Sequence, residues 1–167
     1  PGRAVFEALG RGQDVSADDV FAYAALRPAE HRDGAWWLTG RPDPDKDATE
    51  AEQLVARCDG IVVDGLTFSL SHAWRGESVL RISGGADERV TDSDSFFRAW
   101  YPVLRPQAAV ADAERTARAC EEWSREVMRR LEGERFNVIT LKWFGRPKTV
   151  PTFLERHGIT GTFAAES

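Results

Sequence analysis

The sequence predicts an α+β fold in a single domain (residues 1–167), with a mainly antiparallel sheet packed against helices. The length of 167 residues falls within the usual range for one domain, about 100–200 residues. Apolar and polar residues alternate over Leu66–Trp74 and Glu77–Ser83, and Arg75-Gly76 between them indicates a turn. The other strand and helix patterns do not alternate regularly along the chain. This arrangement favours α+β over a doubly wound parallel sheet.

The amino-terminal half carries further elements, predicted from end signals and apolar patterns: a helical turn at 3–9, a helix at 16–27, a strand at 35–39, a helix at 48–58 and a strand at 61–63. Ser16 supplies a hydroxyl cap for the first long helix, which Pro28 ends. Thr49 and Glu52 have the spacing of a capping box, which indicates a helix start. The strand at 61–63 precedes the hairpin and extends its sheet.

The carboxy-terminal half is predicted in the same way: a short helix at 95–101, a long helix at 107–132, a strand at 135–144, a short helix at 151–157 and a mobile tail at about 159–167. The long helix has inward positions spaced three and four residues apart: Val110, Ala113, Ala117, Cys120, Ser124, Val127 and Leu131. This spacing fits packing on a sheet or another helix. A coiled coil is the alternative.

Composition and charge restrict the classes of function. The net charge is −5, and residues 42–64 hold seven acids against two bases, so a basic partner is favoured over nucleic acid. Cys58 and Cys120 lie outside any C-x-x-C pair, which favours buried free thiols and a reducing cytoplasm over a metal or redox site. The longest apolar runs are too short for a membrane helix, so the sequence predicts a cytoplasmic protein without a membrane partner.

Familiar catalytic motifs are missing from the sequence, including a phosphate loop, a dinucleotide fingerprint, H-E-x-x-H and G-x-S-x-G. His72 is the most suggestive single residue, because Asp64 and Glu77 lie near it in sequence. A nucleophilic triad through Ser71 is disfavoured, since neighbouring residues of a strand point to opposite faces. No cofactor and no metal ion is predicted.

A basic and aromatic cluster follows the last predicted strand: Lys142, Trp143, Phe144, Arg146 and Lys148. Such a cluster could contact nucleic acid, but the small number of bases on an acidic chain disfavours nucleic-acid binding as its function. Trp74, at the tip of the hairpin, and Trp143 are the two tryptophans expected to be partly exposed. Exposed tryptophans are typical of protein interfaces.

The hairpin segment Phe68-Ser-Leu-Ser71, with Trp74, Gly76-Glu77-Ser78, Leu80-Arg-Ile-Ser83 and Gly84-Gly85, resembles part of the immunity protein 52 family of bacterial polymorphic-toxin immunity proteins. The resemblance covers about 18 residues of the chain. It implies a small cytoplasmic α+β protein that binds and neutralises a cognate toxin.

The sequence is therefore interpreted as a non-enzymatic binding protein, an immunity- or antitoxin-like inhibitor of a basic toxin or effector. The predicted partner-binding residues are Asp43, Asp45, Asp47, Glu50, His72, Trp74, Arg75 and Trp143. One alternative is a small enzyme or ligand-binding protein, with a pocket near His72 or lined by Trp36, Trp37 and Phe97. Another is a secretion chaperone or accessory subunit with the long helix as its dimer seam.

Overall fold

A computed structural model describes residues 2–96, 100–149, 151 and 153–159. The helices are α1 (Arg3–Gly10), α2 (Ala48–Arg57), α3 (Glu114–Arg130) and α4 (Phe153–His157), with a 3-10 turn at Ala111–Ala113 leading into α3. The strands are β1 (Val20–Arg27), β2 (Ala29–Arg32), β3 (Ala35–Leu38), β4 (Ile61–Val63), β5 (Leu66–Trp74), β6 (Glu77–Ser83), β7 (Tyr101–Pro102) and β8 (Val138–Gly145).

Five of these strands form the main sheet in the order β4-β5-β6-β1-β8, and every neighbouring pair is antiparallel. Helix α1 packs on one face, where Ala4 and Val5 meet Phe21, Tyr23 and Val79. Helices α2 and α3 cover the other face. The predicted α+β fold with an antiparallel sheet is therefore confirmed, in a single domain with helices on both faces of the sheet.

The larger core lies between the sheet and helices α2 and α3. Trp123 of α3 is fully buried and stacks on Phe68 of β5, with ring centroids 5.6 Å apart. Aromatic side chains bury about 150–250 Å² each, so this pair anchors the long helix to the sheet. The expected inward face of α3 is confirmed at Ala117, Cys120 and Val127, whereas the central role of Trp123 was not predicted.

The hairpin and its neighbours match the sequence prediction closely. Strands β4, β5 and β6 span the predicted residues, and the turn falls at Arg75-Gly76. A separate three-stranded sheet, β2-β3-β7, holds the strand predicted near Ala35–Thr39. Helix α2 also lies where it was predicted, but Asp47 precedes it and no capping bond is made by a side chain there.

The helix predicted at 16–27 is wrong, because Val20–Arg27 forms strand β1. All eight of its residues are buried, with Phe21 and Tyr23 in the core against α1 and Val20, Ala22, Ala24 and Leu26 in the core on the other face. A short apolar run buried on both sides shows no alternation, so periodicity cannot distinguish it from a buried helix.

The helix predicted at 107–132 is shorter than expected at both ends. Ala108 pairs in a β-bridge with Val90, and Val110 is exposed rather than inward. In the predicted helix at 95–101, Tyr101 belongs to strand β7, and residues 97–99 lie outside the described part of the chain. The tail beyond residue 159 also lies outside it. Among the described residues, every helix is too short or too polar to cross a membrane.

Candidate anion-binding cleft

A cleft of about 730 Å³ opens over the sheet face that carries α1, beyond the area that α1 covers. The register places Tyr23 opposite Lys142 and Ala25 opposite Glu77, so these side chains share that face with Arg27. The cleft is lined by Arg3, Tyr23, Leu26, Arg27, Gly40, Arg41, Pro42, Pro44, Trp74, Arg75, Gly76, Glu77, Phe96, Lys142 and Trp143.

The lining is strongly basic. Among the described residues that line the cleft, five are basic (Arg3, Arg27, Arg41, Arg75 and Lys142) and one, Glu77, is acidic. The whole chain, by contrast, has a net charge of −5. Bases gathered in a concave site focus a positive potential and attract anions. The volume falls within the range of small-molecule sites, about 300–1,000 Å³.

A β-bulge in β8 brings two neighbouring residues over the same ring. Between Phe21 and Tyr23 of β1, strand β8 advances from Gly145 to Lys142, one residue more than regular pairing allows. Lys142 Nζ lies 5.3 Å from the centre of the Tyr23 ring, and the Trp143 ring lies 5.8 Å from it. In a regular strand these two side chains would point to opposite faces.

An acidic side chain holds this bulge in place. Trp143 has a φ of +59°, a left-handed conformation that is unfavourable for a residue other than glycine. Its backbone N–H donates to Asp92 Oδ1 at 2.8 Å. Burial raises the pKa of Asp92, and the nearby Asp94 carboxylate raises it further.

Strained backbone is concentrated at the cleft. Arg75 and Phe96 also have positive φ, at +57° and +63°. Together with Trp143 they make up three of the six described residues other than glycine that adopt this conformation, and all three line the cleft. Such strain costs about 1–3 kcal/mol per residue and collects at functional sites.

The floor of the cleft holds a buried ion pair. The Arg27 guanidinium donates through Nε to the Gly40 carbonyl at 2.7 Å, and its Nη1 lies 3.4 Å from Asp94 Oδ2. The Arg27 side chain is 2% exposed and that of Asp94 is fully buried. Burial lowers the pKa of Arg27, and the Asp94 charge opposes that shift.

A second pair lies beside it. Lys142 Nζ is 3.6 Å from Glu77 Oε2, a distance that allows attraction but is too long for a hydrogen bond. Glu77 Oε2 is buried and accepts no hydrogen bond. Burial, followed by the Glu77 charge, raises the pKa of Tyr23, so the Tyr23 hydroxyl is neutral at pH 7. Glu77 thus offers an unused acceptor among bases.

The chemistry of this site is that of binding and orienting an anion. In the described part of the chain, no group of three or more His, Cys, Asp or Glu side chains is arranged to hold a metal ion. Cys58 and Cys120 are buried away from the cleft, and burial raises their thiol pKa values to about 11 and about 12. Neither thiol is therefore a nucleophile near neutral pH.

Three of the predicted site residues lie in the cleft: Trp74, Arg75 and Trp143. His72 does not line the cleft, and its ring nitrogen lies 2.6 Å from the carbonyl oxygen of the lining residue Arg75. In the β5–β6 register His72 faces Ser78, so Glu77 points to the other side of the sheet. A catalytic pair of His72 with Glu77 is therefore not assembled.

The predicted acidic residues lie in the loop before α2 and at the start of that helix. Asp47 is almost buried, accepts the Asp43 backbone N–H at 2.6 Å and pairs with Arg135. Asp43 accepts the backbone N–H groups of Asp45 and Lys46, and these two bonds lower its pKa. Glu50 Oε2 lies 3.9 Å from Arg135. These acids therefore hold the loop together, and their contact with a protein partner stays a prediction.

The alternative pocket of Trp36, Trp37 and Phe97 is not the cleft, because Trp36 and Trp37 lie on β3 of the smaller sheet and do not line it. Phe97 lies outside the described residues. Sequence reasoning missed the remaining bases, Arg3, Arg27 and Arg41. A signal was present for Arg27, which ends a run of apolar residues directly before a proline.

Comparisons with known proteins identify the family. The sequence model of the 2,3-bisphosphoglycerate-independent phosphoglycerate mutases matches residues 1–137. A mutase of that name from Methanopyrus kandleri is 30% identical over 99% of this chain and 43% of its own length. A second, from Methanocaldococcus jannaschii, is 26% identical over the whole chain and 44% of its own length. The chain thus spans less than half the length of these relatives.

A solved structure has the same fold. The cofactor-independent phosphoglycerate mutase from Thermoplasma acidophilum superimposes with a TM-score of 0.74 at 22% identity, over 95% of this chain and 45% of that one. These matches overturn the resemblance to immunity protein 52, and the interpretation as a non-enzymatic immunity- or antitoxin-like inhibitor is wrong. The alternative interpretation, a small enzyme or ligand-binding protein with a pocket near His72, agrees better with these matches. The chain belongs to the family of 2,3-bisphosphoglycerate-independent phosphoglycerate mutases.

Proposed function

We propose that this chain is the substrate-binding part of a phosphoglycerate mutase, and that its basic cleft holds phosphoglycerate. The observation that carries the proposal is the convergence of five bases on one cleft of an acidic chain. Phosphoglycerate carries a phosphate, a carboxylate and a free hydroxyl. The cleft offers guanidinium and ammonium groups for the anions and a carboxylate for the hydroxyl.

The bases divide into two groups by burial. Arg27 and Lys142 lie in the floor, where their side chains are only 2% and 7% exposed. Arg3, Arg41 and Arg75 surround them at the rim. Guanidinium groups bind phosphate and carboxylate with paired hydrogen bonds, and such charge-assisted bonds are roughly twice as strong as neutral ones.

In this proposal, Glu77 makes the cleft selective for anions that carry a hydroxyl group. An acid repels an anion, but Oε2 of Glu77 is buried with no donor bound to it. A buried acceptor that receives no hydrogen bond costs about 1–3 kcal/mol, and a ligand hydroxyl that donates to it would remove that cost. The cleft therefore favours an anion with a hydroxyl over one without it.

The contribution of this chain to a mutase reaction follows from the same groups. A mutase moves the phosphoryl group between two oxygens of one carbon skeleton. Bases that already surround the phosphate stabilise its charge during transfer, and contacts to the carboxylate fix the orientation of the skeleton. The cytoplasmic location predicted from the sequence is part of this proposal, supported by the buried free thiols.

Calorimetric titration of the chain with 3-phosphoglycerate tests the proposal. We expect binding that weakens as salt is raised, and weaker binding of glycerate, which lacks the phosphate. Arg27→Met is expected to reduce the affinity at least tenfold. Arg125→Met is the matched control, because Arg125 is an exposed base on α3 paired with Glu121, and it should leave the affinity unchanged. Absence of any binding by the folded wild-type chain would overturn the proposal.

A further inference from the structure

The carboxylate of Asp94 makes three contacts at the side of the cleft, to Arg27, Phe96 and Thr140. Its Oδ2 accepts the Thr140 hydroxyl at 2.6 Å and lies 3.4 Å from Arg27 Nη1. Its Oδ1 accepts the Phe96 backbone N–H at 2.6 Å. Asp94 is 1% exposed, so these contacts are made away from bulk solvent.

Two of these contacts end at residues that line the cleft. Arg27 carries a base of the floor, and Phe96 lies against Trp143, with ring centroids 5.8 Å apart. The bond from Phe96 to Asp94 is made where Phe96 adopts a φ of +63°. Thr140, on β8, fixes the carboxylate itself. One buried side chain thus connects the charge of the floor to the aromatic wall.

We propose that Asp94 is a positioning residue for phosphoglycerate, which holds the Arg27 guanidinium in the orientation that receives the anion. This inference rests on the proposed function of the cleft. It assigns to Asp94 no contact with the substrate. Asp94 acts through Arg27, whose Nε is fixed at the same time by the Gly40 carbonyl.

Removal of the Asp94 carboxylate should change the affinity for an anion in one direction if Asp94 positions Arg27, and in the opposite direction if only its charge matters. Removal of an acid beside a binding base makes the site more positive, and by electrostatics alone an anion should then bind more tightly. If Asp94 positions Arg27, its removal should weaken binding instead, because a misplaced donor loses its hydrogen bonds to the anion. The sign of the change separates the two roles.

The test compares the folded wild-type chain with Asp94→Asn, using 3-phosphoglycerate as the probe in calorimetry. We expect binding about tenfold weaker in Asp94→Asn. Asp19→Asn is the matched control, since Asp19 is a nearly buried carboxylate paired with Arg81 at 2.6 Å, beyond the opposite end of β1. It should lose stability while its affinity stays at the wild-type value.

A second variant and an NMR signal distinguish loss of the positioning contact from misfolding of Asp94→Asn. Thr140→Val keeps the charge of Asp94 but removes its hydroxyl donor, and we expect about threefold weaker binding. The side-chain Nε–H signal of Arg27 in NMR, identified by its loss in Arg27→Lys, should broaden in Asp94→Asn and stay sharp in Asp19→Asn.

Equal or tighter binding in folded Asp94→Asn and Thr140→Val, beside a wild-type chain that binds, would overturn the positioning role and leave the proposed function standing. A wild-type chain that fails to bind would overturn both.

Discussion

Replacement of Lys142 by methionine, alone and together with Glu77→Gln, should separate the stability of the folded chain from the affinity of the cleft for anions. Lys142 Nζ lies 3.6 Å from Glu77 Oε2, and the two side chains are 7% and 23% exposed. Coulomb's law at an effective dielectric constant of about 20 gives an attraction of roughly 4–5 kcal/mol at this distance. The desolvation of both charges offsets much of it. Removal of one partner of a buried pair typically costs about 3–5 kcal/mol.

Because Glu77 keeps some contact with water, we expect a loss at or just below the lower end of that range. Lys142→Met should lower the free energy of unfolding by about 2–3 kcal/mol, measured by urea denaturation followed by circular dichroism. The double variant Lys142→Met with Glu77→Gln should recover at least half of the loss, since no unpaired charge is left. Neither variant should bind 3-phosphoglycerate as tightly as the wild type.

Lys148→Met provides the control for this experiment. Lys148 is 60% exposed and lies 3.4 Å from Glu88, so loss of this pair should cost less than about 0.5 kcal/mol. Additive effects of the Lys142 and Glu77 substitutions would show that the two charges are not coupled. A stable Lys142→Met variant with unchanged affinity would refute both the buried pair and the role of this base in the cleft.

Three further predictions concern the core and the titratable groups. Trp123→Ala should cost about 3–5 kcal/mol in urea denaturation, whereas Trp74→Ala, at an exposed position, should cost less than about 1 kcal/mol. The pKa of Tyr23 is raised in the folded chain, so the unfolded chain loses this proton at a lower pH than the native state. The free energy of unfolding should therefore fall as pH rises above 10. Tyr23→Phe should reduce that fall in urea denaturation carried out from pH 9 to 11. Cys58 and Cys120 should react with a thiol reagent at pH 8 only when the chain unfolds, at equal rates for both, and rapid reaction in the native state would contradict their burial.

The elements predicted correctly from the sequence are those whose signals are local. The hairpin at Leu66–Trp74 and Glu77–Ser83 has one face in a core and one facing outward, which produces alternation. Helix α2 is amphipathic for the same reason, with Leu54 and Val55 on its buried side. Strand β1 shows no such contrast, because its residues are buried on both faces. The sequence pattern there predicted a helix.

Parts of the cleft were predicted as single residues and not as a site. Trp74, Arg75 and Trp143 were selected because exposed aromatic and basic residues at turns are typical of contact surfaces. Their function was assigned to a protein partner, because the residues that make the cleft basic come from distant parts of the chain. Arg3, Arg27 and Arg41 lie on three different segments, and no spacing in the sequence relates them to Lys142.

The sequence by itself determined the fold class, the hairpin with its turn, and most of the inward face of the long helix, because these depend on the period of burial along a short segment. The tertiary structure alone decided where the charges converge. Pairing of β1 with β6 and β8 places Arg27, Glu77 and Lys142 on one sheet face, and the bulge at Trp143 adds an aromatic ring to it. An anion-binding site requires several charges within a few ångströms of one point, and only the fold sets those distances.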